Sequence, residues 1–357
     1  MSEDKHPRTL ILSWHWPPTN RASAGVLGAL FRTSPRGFFR VITRSVNESV
    51  SLDRRPAPDD LDGRVPPTRV PATPDNKPGS ALVAGLGTIK TIAAIVRAAL
   101  AVGREWQATQ VLAVYPHRCG MLSGWWVARR LRVPLVLYMH DLCVEAQTFR
   151  NPLQRWFWRL VDHVCLRRAD LVIVPTDEFA THYERRGVKA AWVLPHCVSG
   201  LTHTSDPPKP REPLHLLYSG LIYEPHESAA RAFIDATRSL PDVAVTLHCN
   251  PEACGGLLGD AGARWVSFGE ATAALADADV LVVLLGTNTP CREEVSGCFP
   301  SKMIEYLTAG RAILAIVPSG CFVDRFVSKT GCGVVVREHD SRTIQAAIDR
   351  LRDPAIR

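Results

Sequence analysis

Lys302 and Glu305 stand three residues apart in the stretch Pro300-Ser-Lys-Met-Ile-Glu-Tyr-Leu-Thr-Ala-Gly310. Proline suits the first position of a helix and glycine the residue just past its end, so a short helix is expected between them. Two apolar runs flank it, Ala278–Leu285 and Ala312–Val317, each short and branched as buried strands are. The order strand, loop, helix, strand puts the helix start where the first strand ends, the side on which open parallel sheets bind ligands. The first turn of such a helix offers unpaired N–H groups and the positive end of the helix dipole, which suit a phosphate. Lys302 adds a point charge there. Glu305 lies on about the same face and can accept both hydrogen bonds of a vicinal diol such as a ribose. The chemistry suggested is a site for phosphate, pentose and a leaving diphosphate. Read alone, the same pattern also describes a surface helix with a solvated Glu305, so the flanking elements decide.

Those elements read as α/β throughout. Thr9–Trp14, Arg40–Thr43, Gln110–Tyr115, Val133–Met139, Ala169–Pro175 and Ala190–Leu194 are apolar runs with strand character. Gly120–Leu131 makes a helix between the third and fourth of them, a β-α-β unit that calls for a parallel sheet. Residues 45–79, rich in Pro, Asp and Arg, read as a long irregular connection. Ser199–Pro213 holds four prolines and reads as a linker. Leu214–Ser219, Val243–His248 and Trp265–Phe268 then open a second sheet, and Gly331–Val336 is its edge strand. Two domains are expected, residues 1–205 and 206–357.

At the end of the Val133 strand sit His140 and Asp141, again on the ligand side of a parallel sheet. Either can hydrogen-bond a hydroxyl, Asp141 can orient His140, and Glu145 is a further acceptor-side candidate. After the Leu214 strand comes Gly220, with Glu224 and His226 close behind. Arg32, Arg36 and Arg292 are cations within reach of a phosphate. Neither Gly25-x-x-Gly28 nor Gly85-x-Gly87 completes Gly-x-Gly-x-x-Gly, so a dinucleotide-dependent dehydrogenase is disfavoured. Asp277-x-Asp279 has the spacing of a metal-binding pair but precedes a strand, away from the ligand side, and reads as structural.

The 46% hydrophobic and 22% charged content is that of an ordinary soluble protein. A net charge of +7 favours acidic partners, namely nucleotide phosphates, anionic lipid headgroups or nucleic acid. No aromatic RNA motif, zinc-finger spacing or basic zipper supports nucleic acid. The ten cysteines are scattered without a Cys-x-x-Cys pair, and the charged N-terminus leads straight into a strand. Both suit a reducing, cytoplasmic compartment. Ala81–Val102 is apolar but interrupted by Lys90 and Arg97, short of the roughly 20 uninterrupted residues of a membrane span, and reads as a buried or interfacial helix.

Phe299-Pro-Ser-Lys302-x-x-Glu305-Tyr-Leu-x-x-Gly310 resembles the donor-site motif of family-four-type glycosyltransferases with the GT-B fold. The resemblance implies two Rossmann-like domains facing across a cleft, the first binding the acceptor and the second a nucleotide-diphosphate sugar as co-substrate. It assigns Gly220, Phe299, Ser301, Lys302 and Glu305 to the donor, with Glu305 on the ribose. It makes His140, Asp141 and Lys302 the catalytic set. It further implies retention at the anomeric carbon, a sugar or lipid-linked acceptor, work in polysaccharide or glycolipid assembly, and neither metal nor separate cofactor. The sequence departs from the family pattern at three places. The first glutamate of the usual Glu-x7-Glu pair is Gly297 here, and no Arg and Lys follow the Gly220 loop. The helix that usually crosses back onto the first domain has no counterpart before Arg357. A sugar-nucleotide epimerase of the same fold and a non-catalytic nucleotide-sugar-binding protein therefore remain as alternatives.

Asn151–Arg168 reads as an amphipathic helix carrying Trp156, Phe157 and Trp158 among Arg150, Arg155, Arg159, Arg167 and Arg168. Basic and aromatic residues together suit peripheral contact with an anionic membrane, here the inner face of the plasma membrane. Its apolar side must also cover the strand that follows, and packing with solvated arginines is the simpler reading.

Overall fold

A computed structural model describes residues 6–17, 22–35, 37–44, 67–70, 81–115, 117–146, 151–197, 212–249, 262–353 and 355–356. Arg36, Arg150, nearly all of the 199–213 linker and most of the 45–79 connection lie outside these residues. The chain divides into two units, Met1–Pro195 and His196–Arg357.

The first unit runs β1 (Thr9–Leu12), α1 (Ala22–Phe31), β2 (Phe39–Arg44), β3 (Thr68–Val70), α2 (Ala81–Glu105), β4 (Gln110–Tyr115), α3 (Arg118–Leu131), β5 (Leu135–Met139), α4 (Pro152–Arg168), β6 (Leu171–Val174), α5 (Asp177–Arg185) and β7 (Ala191–Val193). Its seven strands pair in parallel in the order β3-β2-β1-β4-β5-β6-β7. The order reverses between β1 and β4, which makes the crevice beyond their C-terminal ends the topological switch point. Strand β3 lies inside the stretch read as irregular: Thr68, Arg69 and Val70 pair with Ile42, Thr43 and Arg44. Three residues, two of them exposed, are too short a run to register as a strand pattern. Helix α2 buries Thr91, Ile95 and Ala99, one side chain every four residues, and packs on α3.

The second unit runs β8 (Leu214–Ser219), α6 (Glu224–Thr237), β9 (Val243–His248), α7 (Phe268–Asp277), β10 (Val280–Leu284), α8 (Arg292–Gly297), α9 (Lys302–Ala309), β11 (Ala312–Ile316), α10 (Phe322–Thr330), β12 (Gly333–Val336) and α11 (Ser341–Arg350). Its five parallel strands lie in the order β12-β11-β10-β8-β9. Both faces of this sheet are covered, which is why β10 and β11 are apolar at every position. Val280, Val282 and Leu284 pack with Phe233, Ile344 and Ile348 on one face. Leu281, Val283 and Leu285 pack with Met303, Tyr306 and Val323 on the other.

Trp265–Phe268 is not the expected strand. One bridge joins Arg264 to His248, and the chain then turns into α7. The reason is a capping box: the Ser267 hydroxyl accepts from Glu270 N–H while the Glu270 carboxylate accepts from Ser267 N–H. Satisfying both ends of the first turn outweighs the strand preference of Trp and Val.

One device recurs in the two units. Asp279, fully buried just before β10, accepts from His215 N–H of β8 at 2.9 Å. Asp170, just before β6, accepts from Leu135 N–H of β5 at 2.9 Å. Each carboxylate pins a residue at the start of the neighbouring strand, and so sets its register. Asp279 is thus structural, as its position before a strand suggests. Replacing it by alanine leaves the His215 N–H unsatisfied at the start of a central strand. We expect Asp279→Ala to lower unfolding free energy by roughly 1–3 kcal/mol in urea melts, the cost of an orphaned buried donor.

Candidate functional site

The start of α9 is held against the end of β8 by two side chains one helical turn apart. Lys302 Nζ donates to the Tyr218 hydroxyl at 2.7 Å and lies 4.2 Å from the centre of the Tyr218 ring. The Tyr218 hydroxyl donates in turn to the Leu221 carbonyl at 2.8 Å. Four residues after Lys302, the Tyr306 hydroxyl accepts from Ser219 N–H at 3.0 Å and donates to Ser219 C=O at 3.2 Å. The i, i+4 pair Lys302 and Tyr306 thereby clasps the last two residues of β8. Gly310 ends the helix in the left-handed conformation, as expected of a glycine there.

Gly220 follows directly, with φ of +142°, and its N–H donates to the His248 carbonyl at 2.9 Å. A Cβ on Gly220 would come within 2.9 Å of Lys302 Nζ. The backbone conformation favours glycine here, and a Cβ would displace the Lys302 ammonium from its place. The structure thus brings Gly220 and Lys302 together, although 81 positions in the sequence separate them.

Around Lys302 the electrostatics are those of a charge held out of water. Burial pushes its ammonium down to about 8, and the Glu305 carboxylate acts in the opposite direction. His226, 6% exposed at the start of α6, is pushed down to about 3 by burial and then by the charge of Lys302. It is neutral at neutral pH, a polar neighbour to the ammonium in place of a second cation. Glu224 faces elsewhere: it accepts from the Thr289 hydroxyl at 2.7 Å and ties the α6 start to the loop after β10.

The remaining donor-side candidates divide. Ser301 N-caps α9 in helical conformation without using its side chain. Met303 N–H closes on Pro300 C=O at 2.9 Å and Ile304 N–H on Ser301 C=O at 3.2 Å, so the chain is already coiled at Pro300. Phe299, expected among the donor-binding residues, lies just before the α9 start. It is 5% exposed, its ring packed on Phe322 at 5.3 Å and Phe326 at 5.2 Å. Burying an aromatic ring in this cluster stabilises the loop from beneath. Arg292 is exposed on the short helix α8. Sequence reading passed over Tyr218 and treated Tyr306 only as part of a motif. The i, i+4 spacing of Tyr306 from Lys302 was the available signal.

In the first unit, His140 is 6% exposed at the end of β5, its ring 4.3 Å from that of Tyr138. The half-buried Asp141 carboxyl is pushed up to about 6 by burial, a value suited to proton exchange near neutrality. Two tyrosines hold the turn beyond: Tyr183 donates to Asp141 C=O at 3.5 Å and Tyr115 to Cys143 C=O at 3.2 Å. Glu145 is otherwise engaged, 3.8 Å from His182 Nε2 and 3.6 Å from Arg186. Arg186 also pairs at 2.7 Å with Asp162, which burial pushes up to about 7. Glu145 thus sits in a cluster with His182, Arg186 and Asp162.

A second feature escaped sequence reading. At the switch point, Trp14 and His117 stack in parallel with centroids 3.4 Å apart, and the Arg44 guanidinium lies 5.2 Å from the Trp14 ring. A small cavity of about 10 Å³ opens beside them, lined by Ser13, Trp14, Thr43, Arg44, Ile95 and Gly120 among others. The three stacking residues come from three different strand ends, so no local pattern announces them.

Comparison with known proteins bears on both units. Residues 29–196 match the model of the glycosyl transferase 4-like domain. No curated protein matches the chain. Among solved structures, sucrose-phosphate synthase of Thermosynechococcus elongatus aligns with a TM-score of 0.69 at 20% identity, covering 98% of this chain and 91% of that one. HepE of Anabaena, solved with UDP-glucose, aligns at 0.63 and 14% identity over 98% and 92% of the two chains. A UDP-N-acetylglucosamine 2-epimerase aligns at 0.55 and 12% over 99% and 89%. At these identities the likenesses establish the two-domain GT-B fold.

Two pH dependences follow from the geometry. Because an anion prefers the charged lysine, affinity for a nucleoside diphosphate should fall as pH rises through about 8, the Lys302 value. In calorimetric titrations from slightly acid to alkaline pH, Lys302→Met should remove that dependence and about 10- to 100-fold of affinity. The second concerns stability. His226 takes up a proton near 6.5 when unfolded but only at about 3 when folded, so its contribution is intact above the first value and lost as pH falls toward the second. Acidifying to the middle of that window should cost up to roughly 2–3 kcal/mol in denaturant melts, and His226→Asn should flatten the profile.

Proposed function

We propose that this chain, a glycosyltransferase of the GT-B fold carrying a glycosyl transferase 4-like domain, moves a sugar with retention from a nucleotide-diphosphate sugar to a hydroxyl of a sugar or lipid-linked acceptor. The observation that carries the reading is the nest formed by Tyr218, Gly220 and Lys302 at the start of α9, with Glu305 one turn further on. An ammonium with lowered solvation, fixed by a tyrosine before any ligand arrives, needs no reorganisation when charge develops on a departing diphosphate. Such preorganised stabilisation is usually the largest single contribution to catalysis, and removing one donor of this kind costs on the order of a hundredfold in rate or more. The reading gives charge neutralisation to Lys302 and the helix end rather than to a metal.

In the transfer itself, the bond from the anomeric carbon to the diphosphate oxygen breaks and a bond to the acceptor oxygen forms on the same face. The acceptor proton passes to the departing phosphate. Glu305 holds the ribose diol and the Gly220 backbone lies along the phosphates. His140, with Asp141 titrating near 6, positions the sugar and the acceptor hydroxyl. The switch-point crevice at Trp14, Arg44 and His117 is the acceptor-side surface of the first unit. Since HepE, which shares the fold, holds UDP-glucose, a uridine diphosphate sugar is the first donor to try. The setting inferred is polysaccharide or glycolipid assembly on the cytoplasmic side of a membrane.

A second reading, a nucleotide-sugar-binding protein without turnover, is favoured by Gly297 and by the absence of Arg and Lys after Gly220. Calorimetry with a panel of nucleotide sugars, followed by product analysis with and without acceptors, separates the readings. We expect tight donor binding, turnover that requires an acceptor, and a loss of about 10-fold or more in affinity for Glu305→Ala. Donor conversion without acceptor would point to an epimerase, and binding without any product to the binding protein. Full donor affinity in Glu305→Ala would overturn the assignment of the site.

A further inference from the structure

Helix α4 carries two apolar stripes. Trp158, Val161, Cys165 and Leu166 are buried in the first unit. Leu153, Trp156, Phe157 and Leu160 are exposed, at 74, 64, 47 and 47%. The spacing i, i+3, i+4, i+7 places these four on one face of the helix, away from the core. A helix that serves only its own core leaves that face polar. The structure therefore splits the aromatic run: Trp158 turns inward beneath the Arg118 guanidinium, while Trp156 and Phe157 join two leucines in a continuous outward stripe.

Charge on the helix is equally one-sided. Its one acid, Asp162, is fully buried and paired with Arg186 at 2.7 Å. Arg155, Arg159, Arg167 and Arg168 are all exposed. The solvent side of α4 thus combines large apolar groups with cations and has no carboxylate.

We propose that this stripe seats the first unit on a bilayer containing anionic lipid, the four apolar side chains entering the headgroup–acyl boundary and the arginines meeting lipid phosphates. The combination of aromatic and leucine anchors with arginines is what an interfacial helix needs, and the charge is complementary to an anionic surface. A second copy of this chain is a poorer occupant, since a symmetric interface would set arginine against arginine. No helix among the described residues is long and apolar enough to cross a membrane, so the contact is one of surface seating. The proposal does not depend on the donor site, and its test reads binding alone.

The test is co-sedimentation of the full chain with vesicles of phosphatidylcholine, alone or mixed with phosphatidylglycerol. Wild type should bind the mixed vesicles and release with salt. Trp156→Ser with Phe157→Ser should weaken binding about tenfold or more, and Arg155→Gln with Arg159→Gln about fivefold per arginine. Lipids brominated near the headgroup should quench tryptophan fluorescence in wild type and markedly less in Trp156→Phe, a signal that loose electrostatic adsorption does not produce. All the altered side chains are exposed, so melting temperatures should hold. Should the double serine variant melt early, Leu153→Ser and Trp156→Phe carry the test instead. Failure of wild type to bind mixed vesicles, or equal binding by wild type and both double variants, would overturn the proposal. So would a concentration-dependent dimer that the serine variant dissolves.

Discussion

A lysine kept charged where burial works against it is the constraint around which the second unit is built. Water would solvate an ammonium better than this site does. The site compensates with one hydroxyl at 2.7 Å, the face of the same aromatic ring at 4.2 Å, and the field of Glu305. Its neighbours suit that arrangement. Tyr218 offers both oxygen and ring, and Gly220, with a φ of +142°, leaves the ammonium its space. A charged His226 would repel Lys302 in a place with little solvent, so it is neutral. In the proposed reading, the anion that completes the surroundings of this ammonium is the diphosphate of the donor.

Placing that lysine depends on register. A shift of one residue in β8 would turn Tyr218 to the opposite face and remove the partner of Lys302. Two groups outside the strand hold it: the buried Asp279 carboxylate at its start and the Tyr306 hydroxyl at its end. The first unit uses Asp170 in the same way to fix β5, the strand that delivers His140 and Asp141. Beyond that strand, the cluster of Glu145, His182, Arg186 and Asp162 anchors the turn to α4 and α5. Buried charge serves here to specify geometry, its cost offset by mutual pairing.

Much of the fold was legible because parallel strands covered on both faces read as apolar runs, and most of the expected strands formed within two residues of their predicted ends. Where reading failed, the competing effect was local or distant in a definable way. Trp265–Phe268 lost to a capping box, the reciprocal pairing of Ser267 and Glu270. Strand β3 was hidden because three residues carry no period.

By itself, the sequence determined the alternation of strands and helices, the two-unit division, and the helix bounded by Pro300 and Gly310 with Lys302 and Glu305 in its first turn. These are local properties, carried by backbone preferences and hydrophobic period. What only the tertiary structure decided was the company each residue keeps: Tyr218 and Gly220 beside Lys302, Trp14 against His117, Glu145 withdrawn into an ion-pair network, and Trp156 left facing outward while Trp158 turns in. Such contacts join residues from separate strand ends and helices. Their identity rests on register and on which face of an element is covered, and neither is encoded within any one segment.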